Sequence, residues 1–418
     1  MNQSGTIEQP KFFYGWWMVL VAGIGLCLSY GPIIVYSFGV FIKPLTQELH
    51  ASRASISFLF TLAALVQSIS SPLAGRLADR FGARRVILVS TIIFALLLVF
   101  SHLLPPNLWN FYAFFGVLGF VGSGPAPIPY VKVISRWFDR HRGLALGLAM
   151  FGIGAGAILM PALAQKLIAM FSWRAAYLVI GLLILMVSVP LVACFLKESP
   201  EEIGLLPDGA IAARNATQQQ GSEEGLTWRE ARRNATFWLM IGAVFLVGAC
   251  LHGCVVHLAP MLNDQGVSPQ RAALAISILG SALLIGRVGS GYFLDRFFAP
   301  RVAMCIFGAV ACGIALLRTG AASGLLFPAA FLIGLGMGAE VDIMAYLTSR
   351  YFGLRAFGEV YGYTFASFVL AGALGPWLMG FGFDRSGSYG SILVLFMLAT
   401  LAAAALMTRL GPYRFHPR

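Results

Sequence analysis

The chain has 418 residues, of which 58% are hydrophobic and only 11% are charged, and its mean hydropathy is +0.80. A soluble domain carries roughly 25% charged residues, so this composition excludes a water-soluble enzyme and indicates a membrane protein. The net charge of +12 would indicate nucleic-acid binding if it covered a soluble surface. Its meaning here depends on where the charges lie.

Twelve apolar runs are long enough to cross a bilayer as helices, which needs about 20 residues each. The polar segment 197–235 divides them six and six. The sequence therefore predicts an all-α integral membrane protein with a six-helix bundle over 1–196, a linker over 197–235 and a second six-helix bundle over 236–418. We place the runs near residues 16–40, 54–77, 85–104, 108–134, 143–168, 174–196, 236–260, 272–292, 302–319, 324–348, 357–382 and 389–409.

The basic residues predict the orientation of the chain. With the N-terminus inside, 21 of the 29 Lys and Arg residues fall in inside segments and seven fall outside. Because Lys and Arg are retained on the cytoplasmic side, we expect both termini and the linker to be cytoplasmic, in a multi-pass protein of the inner or plasma membrane. The net positive charge then reflects the retention of basic residues on the cytoplasmic side, and we expect no nucleic-acid partner.

The two halves repeat each other at a nearly constant offset. GRLADRFGARR (75–85) matches GYFLDRFFAPR (291–301) at an offset of 216, and RWFDRHRGLALG (136–147) matches RYFGLRAFGEVYG (350–362) at 214 to 215. Pseudo-symmetric six-helix halves are typical of carriers in which one half rocks against the other around a site near the midplane.

Signatures of enzymes and metal sites are absent from the sequence. It has no Walker loop, no nucleophile elbow and no HExxH motif. Its six cysteines fall in apolar runs without the spacing of metal ligands, and we expect them to be small buried hydrophobic residues. The sequence therefore predicts no catalytic residue, cofactor or metal.

The motif GRLADRFGARR resembles the loop signature between the second and third spans of the major facilitator superfamily, and GYFLDRF is a degenerate second copy. Gly75 would let two helices approach closely, and Asp79 would lie near a helix N-terminus of the other half. The resemblance implies that Asp79 and the arginines latch an inner gate. The alternative is loop charge that only sets topology. The gating candidates are Gly75, Asp79, Arg80, Arg84, Asp295 and Arg296.

Within that superfamily, WFDRHRGLALGLAMFG (137–152) is similar to the fifth-span signature of monocarboxylate transporters, with His141 at a basic position. Arg287 falls where those transporters and the oxalate:formate antiporters place an arginine that holds the substrate carboxylate. Two features depart from the pattern: Leu283 stands where an acidic partner is found, and no first-span lysine is present. The resemblance implies a small monocarboxylate as substrate.

Ionisable residues inside predicted spans are functional candidates, because each costs about 3 kcal/mol to insert. Arg287 can hold a carboxylate by two parallel hydrogen bonds, and Glu340 or Asp342 can carry a proton. The two acids lie about 200° apart on a helix, so at most one faces a cavity squarely. A structural ion pair between Arg287 and either acid, or a gate role for the acids, is the alternative. Lys132, one turn from Arg136, is interpreted as loop charge.

Three further residues are candidates for substrate contact: Tyr30, Tyr130 and His257. For the two tyrosines the alternative is core packing or the interfacial aromatic belt. For His257 the alternative is a hydrogen bond to a neighbouring carbonyl. The prolines of the segment 122–130 are expected to break the fourth helix.

The sequence thus predicts a secondary transporter that moves a small organic anion, a monocarboxylate, by alternating access and together with a proton. The expected partners are that anion, a proton and membrane lipid, and we expect a monomer. The alternative is an exporter or importer of a larger organic compound, such as a drug, a vitamin or an aromatic acid.

Overall fold

In the computed structural model, which describes residues 13–209, 224–319 and 324–415, twelve helices are long and apolar enough to cross a membrane. This confirms the predicted all-α membrane fold. No β-strand occurs in these ranges; Gly225 and Gly353 form one isolated backbone bridge. The helices are α1 (Gly15–Tyr36), α2 (Ser55–Phe81), α3 (Ala83–Leu103), α4 (Leu108–Trp137), α5 (Arg142–Met170), α6 (Trp173–Phe195), α7 (Ala235–Leu262), α8 (Gln270–Arg296), α9 (Ala299–Arg318), α10 (Leu326–Phe352), α11 (Phe357–Ser386) and α12 (Gly390–Thr408).

Three helices of the N-terminal half are interrupted, and in α6 a π-helical stretch covers Ile184–Ser188. In α4 the first helical piece ends at Gly122 and the second begins at Pro127, which confirms the predicted break. Proline cannot donate a backbone hydrogen bond and restricts the residue before it, so this segment cannot continue an α-helix. In α1 regular turns end at Cys27, a π-helical stretch covers Gly31–Tyr36, and a further helix follows over Phe38–Leu49.

The halves meet along two pairs of helices, α2 against α11 and α5 against α8. Because the ends of α2 and α8 lie with the starts of α5 and α11, they share one face of the protein with the linker. We call this the linker face. The linker face corresponds to the side that the sequence predicts to be cytoplasmic.

The linker is anchored to this face at two places. Asp208 accepts backbone hydrogen bonds from Asp139 and Arg140, at 2.9 and 2.7 Å, just before α5. Leu226 donates its backbone N–H to the Phe352 carbonyl at 2.8 Å. Both halves are therefore bound to the same connecting segment.

The cysteines require a correction. Cys250 and Cys254 are buried as predicted, but Cys194, Cys305 and Cys312 are exposed. Their apolar surroundings are the outer surfaces of membrane helices, where lipid takes the place of a protein core. An apolar run in such a chain does not distinguish a core position from a lipid-facing one.

Candidate functional site

Two aspartates cap helices of the opposite half at the linker face. Asp79, near the end of α2, accepts hydrogen bonds from the backbone N–H groups of Gly358 and Glu359 at 2.9 and 2.8 Å, in the first turn of α11. Asp295, near the end of α8, accepts them from Gly143 and Leu144 at 2.6 and 2.9 Å, in the first turn of α5. A carboxylate is stabilised at a helix N-terminus by unpaired N–H groups and by the helix dipole. The predicted contact of Asp79 is confirmed. Asp295, at the equivalent position of the second repeat, makes the same kind of contact.

Glycines bring the helices into backbone contact beside both caps. A Cβ atom at Gly75 would lie 1.8 Å from the Gly358 carbonyl oxygen, and one at Gly143 would lie 2.3 Å from the Gly291 carbonyl oxygen. Neither distance leaves room for any side chain. The predicted close approach at Gly75 is confirmed, and closure of this face requires glycine at these positions.

Ion pairs and hydrogen bonds join the halves around the caps. Arg76 donates to the Glu359 carboxylate, with Nε 3.1 Å from Oε1. Arg350 pairs with Asp139 at 2.7 Å, with 2% of its side chain exposed. Arg142 donates to the Ser349 hydroxyl at 3.0 Å. These contacts, of which those of Arg142 and Arg350 are buried, join the two halves at the linker face in this conformation.

The predicted pairing of Arg80, Arg84 and Arg296 across this face requires correction. The guanidinium groups of Arg80 and Arg296 lie over the rings of Phe81 and Tyr292 in their own helices, 5.2 and 4.0 Å from the ring centroids. Arg84 donates to a backbone carbonyl of α6, within its own half. The cross-half arginines are instead those at positions 76, 142 and 350.

Lys132 also requires correction, because it is not loop charge. Only 1% of its side chain is exposed, and its ammonium group donates to Asp79 Oδ1 at 2.8 Å and to the Ala78 carbonyl at 3.1 Å. The second piece of α4 brings this cation against the end of α2. Lys132 therefore supplies the counter-charge of the cap in α2.

Deeper in the protein, Arg287 of α8 and Asp342 of α10 lie close together. Both are buried, and the charge of Arg287 acts on the Asp342 carboxylate. The nearby Ser290 hydroxyl donates to the Arg287 carbonyl at 3.1 Å. A Cβ atom at Gly338, one turn before Asp342, would lie 3.0 Å from the Arg287 backbone nitrogen, so the two helices touch here. Arg287 Nε and Nη1 and both Asp342 carboxylate oxygens have no hydrogen-bond partner in the protein. Buried polar groups are normally paired. Atoms that lack a partner within the protein are therefore candidates for contact with a ligand.

Two tyrosines, one from each half, lie near this cluster. Tyr36 of α1 and Tyr361 of α11 both lie within the electrostatic influence of Arg287. Tyr361 is buried with an unpaired hydroxyl, whereas Tyr36 is 40% exposed. A Cβ atom at Gly147 of α5 would lie 2.4 Å from the Arg287 carbonyl oxygen. The cluster therefore lies at the junction of the halves. Sequence reasoning missed Tyr361, because nothing in the α11 sequence indicates that this residue lies near Arg287.

Glu340 points away from this cluster. A Cβ atom at Gly248 of α7 would lie 2.8 Å from Glu340 Oε1, so the side chain lies within the C-terminal half. Neither of its oxygens has a hydrogen-bond partner in the protein. The prediction that the two acids of α10 face in different directions is confirmed, and Asp342 is the one beside Arg287.

The remaining candidates do not meet Arg287. Tyr30 and Tyr130 pack inside the N-terminal half, Tyr30 against α3 and α4 and Tyr130 against α1. His257 has Nε2 3.0 Å from the Pro376 carbonyl oxygen and Nδ1 3.3 Å from the Tyr389 hydroxyl, inside the C-terminal half. We do not include these three residues in the proposed site. Across the described ranges, no three His, Cys, Asp or Glu residues cluster as metal ligands.

Comparisons with known proteins give a consistent result. The profile of a family described as "Major Facilitator Superfamily" matches residues 22–376. Monocarboxylate transporter 11 of Mus musculus is 29% identical over 390 residues, covering 90% of this chain and 83% of the mouse protein. Monocarboxylate transporter 13 of Bos taurus is 27% identical over 408 residues, covering 96% and 91%.

A solved structure supports the fold. The proton:xylose symporter XylE, bound to 6-bromo-6-deoxy-D-glucose, aligns with a TM-score of 0.76 and covers 96% of this chain and 97% of its own. At 17% sequence identity this likeness shows the fold alone.

Proposed function

The chain belongs to the major facilitator superfamily, and we propose that it carries a small monocarboxylate across the membrane, together with a proton, by alternating access. It is a transporter and not an enzyme, related to monocarboxylate transporters. The observation that supports the proposal best is the buried Arg287, whose Nε and Nη1 are unpaired beside Asp342 at the junction of the halves.

The chemistry of the pair favours an anion with one carboxylate. A guanidinium is permanently charged and binds a carboxylate through two parallel hydrogen bonds. One arginine balances one negative charge, and a second carboxylate in the substrate would enter a buried site without a counter-ion.

Asp342 supplies a reason for proton coupling. When Asp342 is ionised, its charge balances Arg287 and the site is neutral without substrate. When a proton neutralises Asp342, the substrate carboxylate takes over as the counter-charge of Arg287. Either state is neutral and can cross an occluded conformation without an uncompensated buried charge. Proton and anion are therefore expected to bind together.

The conformation seen here fits one stage of the cycle. The contacts around Asp79 and Asp295 close the linker face, while Tyr36 beside Arg287 is 40% exposed. We propose that the site opens to the side opposite the linker in this state. Breaking the two caps would open the linker face and deliver the substrate there.

The test is uptake into proteoliposomes of purified protein, using a panel of radiolabelled monocarboxylates. Arg287→Ala and Arg287→Lys are expected to abolish uptake, because a lysine lacks the paired donors. Arg318→Ala, which removes an exposed arginine at the end of α9, is the matched control. Near-normal uptake by Arg287→Ala would remove Arg287 from the site.

Proton coupling is tested with a second matched pair. Asp342→Asn is expected to lose accumulation driven by an inward proton gradient and to keep exchange of substrate across the membrane. Glu340→Gln, an isosteric change on the same helix but directed toward α7, is expected to keep gradient-driven accumulation. If wild-type transport ignores the gradient, the protein is an exchanger or uniporter and the role proposed for Asp342 is wrong.

A further inference from the structure

A groove of about 620 Å³ lies on the seam between the two halves. We call it the seam groove. Its volume falls within the roughly 300–1,000 Å³ that ligand sites occupy. One wall comes from α2 of the N-terminal half and the others come from α7 and α11 of the C-terminal half. Its lining residues include Ser68, Ile241, Tyr363, Ala366, Ser367 and Leu370.

The seam groove opens to the lipid side of α11 and not to the Arg287 cluster. Tyr361 faces Arg287, and Tyr363, two residues further on, points about 200° away around the helix. Leu370 continues the groove face and is exposed. Next to Ser68 on α2, Ile69 is 80% exposed. The groove therefore lies at hydrocarbon depth, in contact with the bilayer.

The two serine hydroxyls in its walls are already paired. The Ser68 hydroxyl donates to the Ala366 carbonyl at 2.9 Å, across the two halves. The Ser367 hydroxyl donates to the Ile241 carbonyl at 3.5 Å. What the groove offers a ligand is therefore apolar surface, which suits a hydrocarbon chain and not a polar solute.

Aromatic and basic side chains gather where the groove approaches the linker face. Tyr363 stacks on Trp228 of the linker, with ring centroids 4.0 Å apart and planes 9° apart. Trp238, at the start of α7, is 59% exposed and donates its indole N–H to the Arg232 carbonyl. Exposed tryptophans of this kind mark the level of lipid headgroups. The groove thus runs from the headgroup level into the hydrocarbon.

The charge at this end is positive. Arg76, which lies near Tyr363, keeps 58% of its side chain exposed although it pairs with Glu359. Three exposed arginines follow Trp228, and Arg355 and Arg414 act electrostatically on Glu230. The acidic residues nearby are Glu224, Glu230 and Glu359. Positive charges outnumber negative ones by six to three, so the mouth attracts an anionic group. The three arginines after Trp228 are Arg229, Arg232 and Arg233.

We propose that the seam groove binds an anionic phospholipid, with one acyl chain in the groove and the phosphate among the arginines at its mouth. Because the walls belong to both halves, the lipid stabilises the conformation in which α2 packs against α11. This site is separate from the Arg287 cluster and does not depend on the transported substrate.

The experiment is native mass spectrometry of the full-length protein with phosphatidylglycerol or phosphatidylcholine of identical acyl chains. Ala366→Phe fills the groove; its pseudo-symmetric position in α5 holds Phe151. Leu395→Phe, on an exposed surface of α12, is the matched control. Each buried methylene contributes about fourfold in affinity, so excluding two or more carbons is expected to lower retention of phosphatidylglycerol by about tenfold or more. The control is expected to retain it.

A second variant tests the headgroup. Arg232→Gln with Arg233→Gln is expected to lower retention of phosphatidylglycerol by about fivefold per arginine and to leave phosphatidylcholine unchanged. Thermal unfolding in lipid-free detergent shows whether each variant is folded. Unchanged retention by Ala366→Phe would overturn the assignment of the chain to the groove. Equal retention of the two lipids by the wild type would overturn the anionic headgroup.

Discussion

Replacing Asp79 by Asn tests whether the capping aspartates hold the linker face closed. Asp79 accepts two backbone hydrogen bonds from the first turn of α11 and one from Lys132. The first two join the halves, whereas the bond to Lys132 lies within the N-terminal half and persists when the face opens. Only the two cross-half bonds therefore bias the equilibrium between closed and open states.

The size of the effect follows from those two bonds. A hydrogen bond to a charged group contributes about 1.5–3 kcal/mol net, against about 0.5–1.5 kcal/mol for a neutral pair. The two bonds end on different oxygens of the carboxylate, and an asparagine has only one oxygen acceptor because its NH2 group is a donor. One bond therefore weakens by about 1 kcal/mol and the other, worth about 2 kcal/mol, is lost, so the closed state loses roughly 3 kcal/mol. This corresponds to about a 150-fold fall in the ratio of closed to open protein. Asp295→Asn is expected to act equally, because its cap has the same geometry.

The assay is pulsed electron resonance between spin labels on the linker face. Labels at Arg85→Cys and Arg301→Cys, both exposed, report on the two halves once the native cysteines are replaced by serine. Both aspartate variants are expected to shift the distance distribution toward longer values. Asp384→Asn, an exposed carboxylate at the far end of α11, is the control. Distributions that match the wild type in both variants would refute the view that these caps close the face.

Three further outcomes are expected. Gly75→Ala is expected to open the linker face in the same distance measurement, because its Cβ would lie 1.8 Å from a carbonyl oxygen, whereas Gly308→Ala, with no atom within 4 Å, leaves it closed. Lys132→Met is expected to lower thermal stability by leaving Asp79 without its buried counter-charge, and Asp79→Asn in the same chain restores part of the loss. Tyr413→Phe is expected to cost about 1 kcal/mol of unfolding free energy, because its hydroxyl accepts a backbone hydrogen bond at the start of α9 at 2.6 Å. Burial raises the pKa of Tyr413 to about 12, so the buried neutral hydroxyl is fully compatible with the folded state below pH 10, and the wild type loses stability relative to Tyr413→Phe as the pH rises from 10 toward 12.

The parts of the site that the sequence predicts are those set by local pattern. The twelve spans follow from hydropathy, the break in α4 follows from its prolines, and the cap by Asp79 follows from a motif whose carboxylate needs a helix N-terminus. The opposite directions of Glu340 and Asp342 follow from helical geometry alone. Each of these features depends on residues close in sequence or on an internal copy of them.

The parts that sequence reasoning misses depend on tertiary pairing. Lys132 has a neighbouring arginine one turn away, which indicates loop charge, but its burial is decided by Asp79 on another helix. Tyr361 enters the cluster only because α11 packs beside α10 and brings its ring within the electrostatic influence of Arg287. Arg76 rather than Arg80 reaches across the face because the contact depends on where α2 meets Glu359.

The two halves share the aspartate caps but not the Arg287–Asp342 pair, and this difference fits the roles that we propose for the two features. Closing a face requires matching contacts on both sides of the seam, so the aspartate caps and the glycines occur in both repeats. Balancing one substrate charge requires a single cation. At the repeat offset of 215 to 216, Asp342 corresponds to Pro127 and Arg287 corresponds to Ser71. Where the C-terminal half places an acid in the continuous helix α10, the N-terminal half places the proline that restarts the broken helix α4. The repeat thus retains the symmetry of the aspartate caps, and the charged pair proposed to bind the substrate is confined to the C-terminal half.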